Sequence, residues 1–126
     1  MASTHGIEAA REFAIETARL AASTRCRDVV VLEVAELCSV TDFFVMATGS
    51  SPRQMRTVCD KASELGQQHD FKPFSQAGYK GESWILVDFI DIVLHVFSEQ
   101  ARQYYDLDSL WGDARKVPWE MDAQKA

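Results

Sequence analysis

"WILVDFIDIVLHVF", residues 84–97, decides the fold. Side chains on a strand alternate between two faces, so Trp84, Leu86 and Asp88 point one way while Ile85, Val87 and Phe89 point the other. The spacing predicts two strands, Trp84–Phe89 and Asp91–Phe97, joined by almost nothing and therefore by a tight antiparallel turn. Such turns favour a residue that tolerates positive φ, and Ile90 is a poor one. This predicts a turn that is longer or bulged.

Ile85, Val87, Ile92, Leu94 and Val96 form the face suited to a core. Trp84, Leu86, Asp88, His95 and Phe97 fall on the other. An indole, two apolar groups, a carboxylate and an imidazole give an apolar centre with a charged element, which is the anatomy of a protein interface. The alternatives are a structural histidine hydrogen-bonded at a sheet face, and a C-terminal segment that folds back to bury Trp84 within its own chain.

Upstream, residues 5–22 read as a helix, with Ile7, Ala10, Ala14, Ala18 and Ala21 at helical spacing. The β-branched run from Val29 to Ala35 reads as a strand, and "FFVMATG" (43–49) as a second, more deeply buried one. In "TGSSPRQM" (48–55), Ser51 suits a helix N-cap and Pro52 the first helical position. That helix buries Met55, Val58, Ala62 and Leu65 and frays between Leu65 and His69, where Gly66 weakens the last turn by about 1 kcal/mol relative to Ala. "FKPFSQ" (71–76) reads as a short edge strand because Pro73 cannot donate to a central ladder. Ser98 to Tyr105 gives a helix, followed by a helical turn at "LDSLW" (107–111). The order is α-β-β-α-β-β-β-α. The fold class expected is α/β, a mixed five-stranded sheet with helices mainly on one face and the other face open. Residues 1–119 form one domain and 120–126 a flexible tail.

The totals narrow the function. The chain has 126 residues, 47% hydrophobic and 25% charged, with a net charge of −6. Nonspecific nucleic-acid binding draws on phosphate neutralisation by Lys and Arg, which this balance disfavours; a basic protein partner is easier to accommodate. No apolar run reaches the length of a membrane span, since Asp88, Asp91 and His95 interrupt the longest. The N-terminus reads as neither a secretory signal nor an Arg-rich presequence. Cys26, Cys38 and Cys59 are odd in number and lack C-x-x-C spacing, as expected of reduced thiols rather than a disulfide framework or zinc site.

Two catalytic readings have residues that could serve them. "GSS" (49–51) before a helix can hold a phosphate at the helix N-terminus, but it lacks the spacing and lysine of a P-loop, and capping accounts for Ser51. A metal-dependent nucleotidyltransferase would use Ser50 with Asp88 and Asp91. Those acids lie across a turn rather than two apart on one face, which makes a shared metal doubtful.

Several separated blocks then fall in one order: T-D-F at 41–43, T-G-x-S-x-R-Q at 48–54, W-x-L-x-D at 84–88, D-x-V-x-H-x-F at 91–97 and R-x-x-Y-x-L-x-x-L-W at 102–111. From Asp28 to Ala114 the chain resembles the ribosomal silencing factor family (RsfS, or Iojap). It departs where the family usually has Gly before the second hairpin Asp, here Ile90, and where Gly commonly closes the second helix, here Asp70. The resemblance implies a nucleotidyltransferase-like α/β fold without catalytic acids, no enzyme activity and no cofactor. It implies a partner, the L-fourteen protein of the large ribosomal subunit, bound where the small subunit docks, so that subunit joining is blocked and translation repressed. The partner-binding residues it implies are Trp84 and Asp88, with Leu86, His95 and Phe97 around them. A homodimer hiding the same face is compatible; a membrane or sequence-specific nucleic-acid partner is not implied. The expected compartment is the cytoplasm of a bacterium.

Overall fold

The computed structural model describes residues 6–120. The elements are α1 (Ile7–Ser23), β1 (Arg27–Glu33), β2 (Phe43–Thr48), α2 (Pro52–Gln68), β3 (Ser75–Ala77), β4 (Trp84–Asp88), β5 (Ile92–Phe97), α3 (Glu99–Tyr105), α4 (Leu107–Leu110) and β6 (Arg115–Lys116). Of the tail expected to be flexible, residues 121–126 lie outside the described residues.

One mixed sheet runs in the order β3-β4-β5-β2-β1-β6. Its central pair, β2 and β5, is parallel, from Phe43 opposite Ile92 to Thr48 opposite Phe97; the other pairs are antiparallel. Every residue of β2 and of β5 is buried, and their sequences, apolar but for Thr48 and His95, suit strands covered on both faces. α1 and α2 cover one face. There Ile85, Val87, Ile92, Leu94 and Val96 pack with Phe13, Met55 and Val58, and the Phe13 ring stacks on Phe71 at 4.6 Å.

The sheet has six strands, not five. The addition is β6, which pairs Lys116 with Leu32 and Arg115 with Glu33. Two residues carry too little pattern to be read as a strand, yet they satisfy backbone groups that β1 would otherwise leave bare at the edge. Beyond them Val117 donates its N–H to the Val31 carbonyl at 2.8 Å, and the Trp119 indole donates to the Val29 carbonyl at 3.0 Å.

The start of α2 follows its sequence closely. Ser51 Oγ accepts the Gln54 N–H at 3.1 Å, and Gln54 Oε1 accepts the Ser50 N–H at 2.9 Å, a variant of the capping box. The Gln54 amide also donates to the Thr24 carbonyl at 2.8 Å, tying the helix start to the end of α1. At the other end, Gly66 is set by packing rather than propensity. A Cβ there would meet the Phe71 carbonyl oxygen at 2.3 Å and the Phe89 ring at 2.8 Å.

The β4–β5 turn is tight and strained. Ile90 stands at φ 76, and Asp91 donates its N–H to the Phe89 carbonyl at 2.9 Å. An i to i+2 bond across a positive-φ residue is the rarer, strained kind of γ-turn. The awkwardness of Ile90 is therefore absorbed as backbone strain, not as a longer loop.

Candidate functional site

The second sheet face is built by the alternate residues of the same strands. Phe44, Met46, Val93 and Phe97 form its buried floor with Leu32 and Val34, and Trp84 and Leu86 pack at its margin. This face is not open throughout, as the sequence reading had it. After β5 the chain turns back: Ser98 donates its N–H to the Ser83 carbonyl at 2.8 Å and its hydroxyl caps α3 by accepting the Ala101 N–H at 3.1 Å. Leu107, Trp111 and Ala114 then lie over the β5–β2–β1 part, with Trp111 edge-on to Phe44 at 5.1 Å.

Arg102 fastens this cover. Its guanidinium donates to both Asp108 carboxylate oxygens, at 2.8 and 3.0 Å, and to Thr48 Oγ1 at 3.0 Å. It also lies 6.0 Å from the centre of the Phe97 ring. The paired guanidinium holds the Asp108 carboxyl below the usual carboxylate range. α3 and α4 are too short to be stable alone, so this fork and the apolar contacts beneath it keep them on the sheet.

The cover stops at Trp84. Tyr105 packs against the indole at 4.8 Å, and the indole itself is half-buried. Beyond it Leu86 and Asp88 are also half-buried, while Ser75 and Ala77 of β3, their register partners on the same face, are exposed. The uncovered part is thus the β3–β4 half of the face.

The five residues singled out in the sequence do share one face, but at two depths. Trp84, Leu86 and Asp88 reach the surface. His95 is only 5% exposed and Phe97 1%, so both lie beneath it as support. The Trp84 indole N–H donates to His95 Nδ1 at 3.1 Å. Burial, with the Arg102 charge as a lesser cause, pushes the His95 pKa down to about 4, which keeps the imidazole neutral near pH 7. Asp88 has a structural duty as well, since its carboxylate accepts the Ile90 N–H at 2.7 Å.

Ser50, Asp88 and Asp91 do not converge. Ser50 follows the C-terminal end of β2 and Asp91 precedes the N-terminal end of the parallel β5, so the strand length separates them, roughly 20 Å. Asp91 lies instead beside Asp42, whose carboxyl is pushed up by burial and by the charges of Asp91 and Glu33. Among the described residues, no group of three or more His, Cys, Asp or Glu side chains is placed to hold a metal ion, and no helix is long and apolar enough to cross a membrane.

The sequence reading missed two residues of this surface. Tyr105 is 49% exposed beside Trp84, and Tyr104 is 82% exposed with its ring edge-on to Tyr105 at 5.0 Å. A signal was available: Arg102 and Tyr105 are three apart on one helix and so share a face. Only the tertiary fold-back shows that this face meets Trp84.

Comparison with known proteins bears on this geometry. The sequence model of a family described as "Ribosomal silencing factor during starvation" matches residues 7–126. The "Ribosomal silencing factor RsfS" of Halalkalibacterium halodurans is 32% identical over 96 residues, covering 76% of this chain and 82% of that protein. "Protein Iojap, chloroplastic" of Zea mays is 32% identical over 113 residues, covering 90% of this chain and 49% of that protein. A crystal structure of a Chromobacterium violaceum protein superposes with a TM-score of 0.76 at 27% identity, covering 94% of this chain and 96% of that one.

Proposed function

The chain belongs to the ribosomal silencing factor family (RsfS, Iojap), and from that premise we propose that it represses translation by binding the large ribosomal subunit through its L-fourteen protein. The occupied surface is the one the small subunit needs, so joining is blocked sterically. The protein acts as a regulator and not as an enzyme, in the bacterial cytoplasm.

One observation carries the docking reading. A half-exposed indole, flanked by Tyr105, stands with Leu86 and Asp88 on the half of the sheet face that the chain's own C-terminal segment leaves uncovered. An aromatic anchor with an acidic neighbour suits a partner offering an apolar recess and a Lys or Arg. The net charge of −6 favours encounter with a basic protein. A second copy of the chain covering the same half would compete with this partner.

Co-sedimentation with separated ribosomal subunits tests the reading. Pelleting with the large subunit alone, together with inhibited joining of purified subunits, is the expected result. Equal pelleting with both subunits, or with neither, would reject it.

A further inference from the structure

We infer that His95 is the positioning residue of the docking face: it touches no partner and acts by holding the Trp84 indole in one orientation. The inference rests on the docking reading above and adds to it a buried residue whose effect passes through another.

The geometry is asymmetric in a telling way. Nδ1 accepts the indole N–H at 3.1 Å, so in the neutral ring the proton sits on Nε2. That second nitrogen is buried and has no hydrogen-bond partner among the described residues. The ring is boxed by apolar neighbours: Phe44 edge-on at 4.9 Å, Phe97 stacked at 5.9 Å, and Leu86 and Met46 opposite it on the adjoining strands. A leucine or phenylalanine would suit such a box without burying any polar atom. Leaving a buried donor unsatisfied opposes folding by about as much as one ordinary hydrogen bond supports it, so the imidazole gives the fold little net stability. What it does supply is a directional contact to the Trp84 side chain, which leaves this floor for the surface.

The indole is held from three sides. His95 takes its N–H, Phe97 lies under it at 4.9 Å and Tyr105 packs against it at 4.8 Å. The ring contacts restrict its tilt, and only the hydrogen bond distinguishes the two ends of the ring. An anchor fixed before encounter loses less rotamer freedom on binding, which is how a buried residue raises affinity without contact.

The test uses the full chain with four substitutions at this position and its partner, Trp84→Ala among them. His95→Leu removes the acceptor and keeps an apolar filling. His95→Asn carries an amide oxygen near the place of Nδ1. Trp84→Phe identifies the Trp84 indole signal in the NMR spectrum. His95→Leu is expected to retain its thermal midpoint, to speed solvent exchange of the Trp84 indole N–H by roughly tenfold and to weaken large-subunit binding by about fivefold to tenfold. His95→Asn is expected to restore both the slow exchange and most of the affinity. If the binding of His95→Leu is unchanged while Trp84→Ala binds weakly, positioning is overturned and docking stands. If Trp84→Ala itself binds as the parent does, docking is overturned and positioning falls with it. Should His95→Leu fail to fold, His95→Asn decides alone: slow indole exchange with normal binding supports the inference, and fast exchange with normal binding overturns it.

Discussion

The Asp88 carboxylate accepts the backbone N–H of Ile90 at 2.7 Å, and Ile90 stands at φ 76. A side chain at the end of β4 thus steadies the strained turn that launches β5, and the same residue is half-exposed on the proposed docking face. One residue serves the fold and the proposed site together, which is why substituting it needs care.

The two duties separate by chemistry. Asp88→Asn keeps an oxygen able to accept the Ile90 N–H and removes the charge. Stability should change by less than about 0.5 kcal/mol, while large-subunit binding weakens by about threefold to tenfold and loses part of its salt dependence. Asp88→Ala should show the same binding loss with about 1 kcal/mol of additional destabilisation. Urea midpoints beside a salt titration of binding check both parts.

Ile90→Gly relieves the turn. A β-branched residue at positive φ is held against a penalty of about 1–3 kcal/mol, set against about 0.5–1 kcal/mol of glycine backbone entropy and the loss of the partly buried isoleucine side chain. A net gain of about 0.5–1 kcal/mol should raise the melting midpoint by about 2–4 °C. Scanning calorimetry reads it directly. A lower midpoint would mean that side-chain packing of Ile90 outweighs the strain.

His95 sets a pH dependence of stability. Its folded pKa of about 4 lies below the ordinary value of 6.5, chiefly through burial and secondarily through Arg102. Between those values the unfolded chain binds the extra proton and the folded protein does not. Stability therefore rises with pH across this window and is lost as pH falls from 6.5 towards 4, by at most about 1.4 kcal/mol per pH unit. Denaturant midpoints at about pH 5 and about pH 7 should differ more for the parent than for His95→Leu.

The hairpin and the division of its two strands into two faces were legible because period-two alternation encodes them directly, whereas the parallel pairing of β2 with β5 leaves no local mark. The α2 cap was legible because Ser51 and Pro52 are local signals. Gly66 reads as a propensity defect in sequence, yet the space beside it is filled by the Phe71 carbonyl and the Phe89 ring, which no local pattern shows. β6 was missed because two residues carry no period. The half-covered second face stood only as the alternative of a C-terminal fold-back, for a different reason. It depends on Arg102 reaching Thr48 across 54 positions of sequence, a contact made only once the sheet exists. The depth of His95 and Phe97 beneath Trp84 follows from that same fold-back.

The most direct measurement is the affinity of Trp84→Ala for purified large ribosomal subunits, with circular dichroism and a thermal midpoint to establish that the variant is folded. Truncating a central aromatic anchor should raise the dissociation constant about thirtyfold, the equivalent of about 2 kcal/mol. A folded Trp84→Ala protein that binds the large subunit as tightly as its parent would contradict the account.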